Sequence, residues 1–146
     1  MKRIILMLSI FVAAIAIPAF ADEDKPITVE ELPVAAKEFI NQYFFDVKVS
    51  FAKVENDWFD KSYEVVFTDG SKIEFDGNGN WEKVDCKVRK VPYEIVPEKI
   101  KEHIRVHFPD VIITKIEKDK RDYEIKLSNG YELTFDLKFN LIEIDD

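Results

Sequence analysis

The sequence predicts an α+β fold: a tandem repeat in which each unit is one helix followed by a four-stranded antiparallel meander, with the helices on one side of the sheet. Three observations carry this prediction. The chain corresponds to itself, since Glu30, Pro33, Lys37, Glu38, Ile40, Phe44, Asp46 and Val47 recur 64 positions later as Glu94, Pro97, Lys101, Glu102, Ile104, Phe108, Asp110 and Val111. After four extra residues in the first copy, Tyr63, Glu64, Gly70, Phe75, Asp76, Asn80 and Asp85 recur 60 positions later as Tyr123, Glu124, Gly130, Phe135, Asp136, Asn140 and Asp145. Each copy also opens with apolar residues at helical spacing behind a proline. Each then carries an Asp-Gly or Asn-Gly pair between alternating apolar runs, the strongest short-range hairpin signal.

The first 21 residues stand outside the pattern. Lys2 and Arg3 precede an apolar run from Ile4 to Ile17, Pro18 breaks it, and Ala19-Phe20-Ala21 sets small residues at the two positions a signal peptidase reads. The run is shorter than the roughly 20 residues of a spanning helix. Residues 1–21 are therefore expected to be a signal peptide, cleaved after Ala21, that sends the chain to the periplasm. The remainder divides into a first repeat at 22–90 and a second at 91–146. They form one compact unit, because a small sheet of short strands is marginal alone.

Within the first repeat, Leu32-Pro33 leads into Ala36, Phe39, Ile40 and Tyr43, the three- and four-residue spacing of one helical face. In the second, Val96-Pro97 leads into Ile100, Ile104, His107 and Phe108. Thr28 and Glu31 fit a capping box, which predicts that the first helix starts a turn earlier than its twin. The strands follow with period two: Val47, Val49, Phe51; then Tyr63, Val65, Phe67; then Ile73 and Phe75; then Trp81 to Cys86. Their counterparts are Val111 to Ile116, then Tyr123, Ile125, Leu127, then Leu133 and Phe135, then Leu141 to Ile144. Asp69-Gly70 and Asn129-Gly130 predict type I′ turns, with positive φ at both central residues. Lys87 to Ile95 reads as extended chain crossing between the units.

Net charge is −8, and loss of Lys2 and Arg3 with the leader takes it to −10. A surface this acidic repels phosphate backbones and anionic headgroups, so nucleic acid is excluded as a partner and a basic protein or a cation is favoured. Cys86 is the only cysteine, so no internal disulfide staples the fold and Cys86 is expected in the core. The 12 Phe, 5 Tyr and 2 Trp supply that core.

Three constellations bear on chemistry. Trp58 and Phe59 lie in the polar insertion from Glu55 to Asp60, where packing does not demand aromatics; they are a candidate contact surface, the alternative being that they fold back over the sheet. His103 and His107 share a helical face and are two possible metal ligands, but two fall short of a zinc set. Their counterparts, Phe39 and Tyr43, point instead to a packed stripe. Asp76-Gly77-Asn78-Gly79-Asn80 begins like a calcium loop, yet Trp81 replaces the required glycine and Lys87 the closing glutamate. No metal or cofactor is assigned, and no nucleophile elbow or phosphate loop supports catalysis.

The whole pattern resembles the PepSY-like family of exported bacterial proteins, described as β-lactamase-inhibitor-like. The resemblance rests on Leu32-Pro33 and Val96-Pro97, on Phe44 to Val47 and Phe108 to Val111, on Tyr63 to Gly70, and on Phe75 to Trp81. It implies a fold similar to the β-lactamase inhibitory protein and a binding role without catalysis, with inhibition of an exported enzyme as one form of it. That protein's pattern has a disulfide in each unit, which Cys86 alone cannot supply. The expectation is a non-catalytic module that holds a basic protein or peptide through its sheet face and hairpin tips. Trp58, Phe59 and Trp81 would anchor the partner, and Asp69 at a hairpin tip would enter its basic cleft. The alternative is a periplasmic binder of a small ligand or divalent cation.

Overall fold

The computed structural model describes residues 24–146; the expected leader lies outside them. Nine strands form one antiparallel sheet whose spatial order is the order of the chain, β1 to β9. They are β1 (Lys25–Ile27), β2 (Val49–Asn56), β3 (Lys61–Phe67), β4 (Lys72–Asp76), β5 (Trp81–Asp85), β6 (Ile113–Lys118), β7 (Asp122–Leu127), β8 (Glu132–Asp136) and β9 (Leu141–Asp145). The helices are short, α1 (Val34–Tyr43) between β1 and β2 and α2 (Glu98–His107) between β5 and β6.

This corrects the expected architecture. The described residues are mostly one nine-stranded sheet with two ten-residue helices, and not an α+β tandem of helix-plus-four-strand meanders. Two things overturn the expectation. Lys83, Val84 and Asp85 of β5 pair with Glu117, Ile116 and Lys115 of β6, so the sheet runs unbroken through the middle of the chain. Strand β1 also adds along β2, although Pro26 cannot donate to a ladder and disguises it. One continuous core follows, lined by Val65, Ile73, Val84, Ile116, Ile125 and Leu133, each fully buried.

Alternation explains which face is buried. Ala52, Val65, Ile73, Val84, Ile116, Ile125 and Leu133 are paired neighbours across successive strands, so their side chains lie on one face. Both helices pack there. Phe39 of α1 meets Phe75 edge-on at 5.8 Å, and His103 of α2 meets Phe135 edge-on at 5.5 Å. Phe44 caps α1 and stacks on Phe67 at 4.9 Å, fully buried, a burial of the kind worth roughly 1.5–3 kcal/mol per side chain. Cys86 is buried in the same core, and burial pushes its thiol up to about 11.

Local details differ from the sequence reading in two ways. The Thr28–Glu31 capping box forms, but it caps a separate 3-10 turn at Val29–Glu31, and Tyr93–Ile95 makes a matching turn before α2. Both helices therefore start right after their prolines, because Pro33 and Pro97 occupy the N-cap positions. The Asp-Gly and Asn-Gly turns are not type I′. Only the glycines have positive φ, 88° at Gly70 and 95° at Gly130, while Phe67 N–H bonds the Ser71 carbonyl and Leu127 N–H that of Tyr131. The Asp69 and Asn129 side chains accept the N–H two residues on, which favours a longer turn closed by a glycine bulge.

Candidate interaction surface

Alternate hairpins place their tips at opposite ends of the sheet, and this sorts the sequence-predicted residues. Trp58, Phe59 and Trp81 fall at one end, with the turn at 77–80 and the turn at 119–121. Asp69 falls at the other.

At the first end, the loop from Asp57 to Asp60 is tied by its own aspartates. Asp57 Oδ1 accepts the Trp58 N–H at 2.7 Å, Asp60 Oδ1 accepts the Lys61 N–H at 2.9 Å, and Asp57 N–H bonds the Asp60 carbonyl at 2.9 Å. With the backbone so closed, the two aromatic side chains project outward, Trp58 71% and Phe59 97% exposed. The matching β6–β7 turn is closed by the equivalent backbone bond, Asp119 N–H to the Asp122 carbonyl at 3.1 Å, with Asp119 Oδ1 accepting from the Arg121 and Asp122 N–H groups, and it carries no aromatic. Trp81 is different. It is half-buried against the core, with the Lys118 ammonium 4.2 Å above its ring.

Acids surround this end. Asp57, Asp60, Asp76 and Glu82 line one concavity with Trp58 and Phe59, and Lys61 and Lys120 are cations in its wall. Burial, then the charges of Asp76, Asp60 and Glu74, raise the Glu82 carboxyl above its ordinary value. The oxygens of Asp76 serve the turn: Oδ1 accepts from Asn78 N–H and Asn80 N–H, both at 2.9 Å, and the Asn80 amide reaches Oδ2 at 3.4 Å. Asp136 is held identically by Lys138 and Asn140, where no calcium-like series of oxygens exists. Turn geometry accounts for the motif. Gly79 has a second reason to be glycine, since an added Cβ would lie 2.7 Å from Pro33 Cβ and 2.9 Å from Ala36 N at the start of α1.

At the opposite end Asp69 is engaged within the molecule. Its Oδ1 accepts the Ser71 N–H at 2.8 Å, and its Oδ2 stands 3.1 Å from Arg89 Nε. Arg89 also donates to both oxygens of Asp46, at 3.1 and 2.9 Å, and lies over the Phe44 ring. Nothing in the local sequence announces Arg89, because its partners are 43 and 20 residues away.

The His103 and His107 rings pack at a 40° tilt with centroids 4.4 Å apart. Burial, then the neighbouring His107, lower the His103 imidazole below its ordinary value. Phe39 and Tyr43, at the matching positions of α1, also pack as a tilted pair, at 4.9 Å and 58°. Among the described residues no group of three or more His, Cys, Asp or Glu side chains is arranged to hold a metal ion.

The sheet face away from the helices, expected from the sequence as part of the contact surface, carries a charged row that the sequence did not show. One transverse row reads Lys53, Glu64, Glu74, Lys83, Glu117, Glu124, Thr134 and Glu143 across strands β2 to β9. Ion pairs knit it: Lys53 with Asp24 at 2.8 Å and Glu55 at 2.6 Å, Lys72 with Glu64 at 3.7 Å, Lys83 with Glu74 at 3.8 Å, and Lys115 with Glu117 and Glu124 at 3.6 Å each. The charged positions alternate visibly in the sequence, but the row needs the strand register.

The family model described as β-lactamase-inhibitor-like, PepSY-like matches residues 61–143. Three solved structures share the fold. A protein of Bacteroides vulgatus, provisionally described as a periplasmic member of the DUF2874 family, is 54% identical with a TM-score of 0.84, over 86% of this chain and 99% of its own. One from Bacteroides thetaiotaomicron, provisionally described as a calcium-regulated periplasmic protein, is 56% identical with a TM-score of 0.83, over 86% and 99%. A second Bacteroides vulgatus periplasmic protein, of unknown function, is 35% identical with a TM-score of 0.80, over 85% and 100%. No curated protein sequence matches the chain. The identity, the near-complete coverage and the shared fold agree with the matched family model, and the chain belongs to the PepSY-like, β-lactamase-inhibitor-like family.

Proposed function

We propose that this chain is an exported periplasmic binding module without catalytic activity, which recognises a basic protein or peptide at the Trp58 end of its sheet. The observation that carries the reading is the pair of projecting aromatics, 71% and 97% exposed, beside Asp57, Asp60, Asp76 and Glu82. Aromatic anchors dominate binding energy at protein interfaces, and the excess of four acids over Lys61 and Lys120 around them favours a partner of positive charge. Trp81, braced under Lys118, supports the base of this surface. Asp69 enters as a brace for its hairpin, through Arg89. The periplasmic descriptions of the relatives and the inhibitor-like description of the family support location and class.

The test is capture from a periplasmic extract, with the mature chain and its Trp58→Ala/Phe59→Ala variant as baits. A protein held by the first and lost by the second supports the reading; identical recovery by both sinks it. If the captured protein is an enzyme, loss of its activity on adding the chain identifies inhibition.

A second reading, a divalent cation at the same end, is favoured by the calcium-regulated description of one relative. It predicts a rise of several degrees in Tm at micromolar calcium, since a ligand bound only by the folded state stabilises it. An unchanged Tm counts against it.

A further inference from the structure

We propose that the groove between α2 and the chain leading into it binds a single alkyl carboxylate, a ligand of the fatty-acid type. This is independent of the surface described above and lies at the other end of the sheet.

The groove exists because of a difference between the two halves. Along α1, strand β1 closes the flank by pairing with β2 at Lys25, Pro26 and Ile27. Along α2, the corresponding stretch makes one backbone bond to β6, Val91 N–H to the Ile113 carbonyl at 2.8 Å, because β5 already occupies that edge. The chain therefore stands off the sheet and leaves a cavity of about 400 Å3, within the range of small-molecule sites.

Its chemistry is amphipathic. The stripe Lys101, Ile104, Arg105 and Phe108 faces it at helical spacing, with Val91 and Val111 completing an apolar floor. Three cations, Lys90, Lys101 and Arg105, ring it against the single carboxylate of Asp110, in a chain whose net charge is −8. Lys101 is nearly buried and fixed, 4.2 Å above the Tyr93 ring and 2.6 Å from Glu98. Arg105 pairs with Glu102 at 2.6 Å. Both glutamates are solvent-exposed, 89% and 61%, and such surface pairs exchange readily for another carboxylate. Lys90 makes no ion pair among the described residues and is the first cation available to a headgroup.

An alkyl chain fits this floor better than a peptide. Two nearby backbone donors are already spent, Val91 N–H on Ile113 and Ile112 N–H on Ser128 Oγ at 3.1 Å. A peptide would bury amides without partners there, whereas methylenes need none.

Titration calorimetry of the mature chain with decanoate tests this. We expect saturable one-to-one binding, weakened at least tenfold in Lys90→Glu/Arg105→Glu and unchanged in Lys37→Glu, which alters the position on α1 that matches Lys101. Absence of saturable binding, equal binding of decyltrimethylammonium, tighter binding of a short apolar peptide with a free carboxylate, or an unaffected double variant overturns the proposal. Because charge reversal beside α2 can disturb folding, a second readout uses the native chain. Magnetisation transfer from decanoate methylenes must reach the rings of Tyr93 and Phe108; transfer only to other residues overturns the assignment.

Discussion

Arg89 Nε stands 3.1 Å from Asp69 Oδ2, which ties the chain between β5 and α2 to the tip of the β3–β4 hairpin. The same guanidinium grips Asp46 with two parallel bonds, so a single side chain holds three separate segments together. Asp46 is held below the usual carboxylate range chiefly by its hydrogen bonds from Arg89.

Arg89→Met should therefore destabilise the fold by about 1–2 kcal/mol, more than an isolated surface pair, because it leaves the half-buried Asp69 carboxylate without its cation. Urea unfolding of Arg89→Met, Asp69→Asn and the double variant measures the coupling. Additive single effects would contradict the shared clamp.

The glycines at positive φ are not equivalent. Gly130→Ala meets nothing within 4 Å, so only backbone strain of about 1 kcal/mol opposes it. Gly79→Ala adds a collision with Pro33 and the backbone of Ala36 and should cost at least about 2 kcal/mol. Thermal melts rank the two, and equal losses would disprove the close packing of the 77–80 turn on α1.

His103 gives the fold a pH dependence of definite sign. Its folded value lies below 6.5, so the unfolded chain binds the extra proton, and stability falls as pH drops through 6.5 toward the folded value. His103→Phe, which installs the residue found at Phe39, should abolish that part of the slope while leaving neutral-pH stability within about 1.5 kcal/mol. A slope between pH 7 and 5 unchanged in the variant would rule out His103 as its source.

Glu82 acts in the opposite sense. Its carboxyl is raised above 4.5, so the charged form is disfavoured in the folded state. Glu82→Gln should raise Tm at pH 7, and the gain should vanish once pH falls below 4.5, where the native glutamate is protonated in both states. A gain that persists in acid would place its cause in packing.

The elements were legible in the chain because they depend on neighbours a few residues apart. Pro97 marked the start of α2, while the Thr28–Glu31 box drew the expected start of α1 a turn ahead of Pro33; the alternation at Tyr63, Val65 and Phe67 marked a half-buried strand, and Gly70 and Gly130 marked turns. The pairing of β5 with β6 was not legible: one residue of offset in either strand preserves each strand's own pattern, and no local signal chooses between joined and separate sheets. The projection of Trp58 and Phe59 was half-legible. Their place in a polar loop was in the sequence, but whether they folded back depended on how Asp57 and Asp60 closed that loop.

By itself, then, the sequence determined where chain reversals fall, which side chains are apolar, and which family the pattern resembles. Only the tertiary structure decided that the strands form one sheet, that the charged face is a single row from Lys53 to Glu143, and that Asp69 belongs to Arg89 rather than to solvent. The physical reason is range. Periodicity and turn chemistry act over a handful of residues, whereas strand neighbours and ion pairs are chosen by the whole folded chain, after the local pieces have already formed.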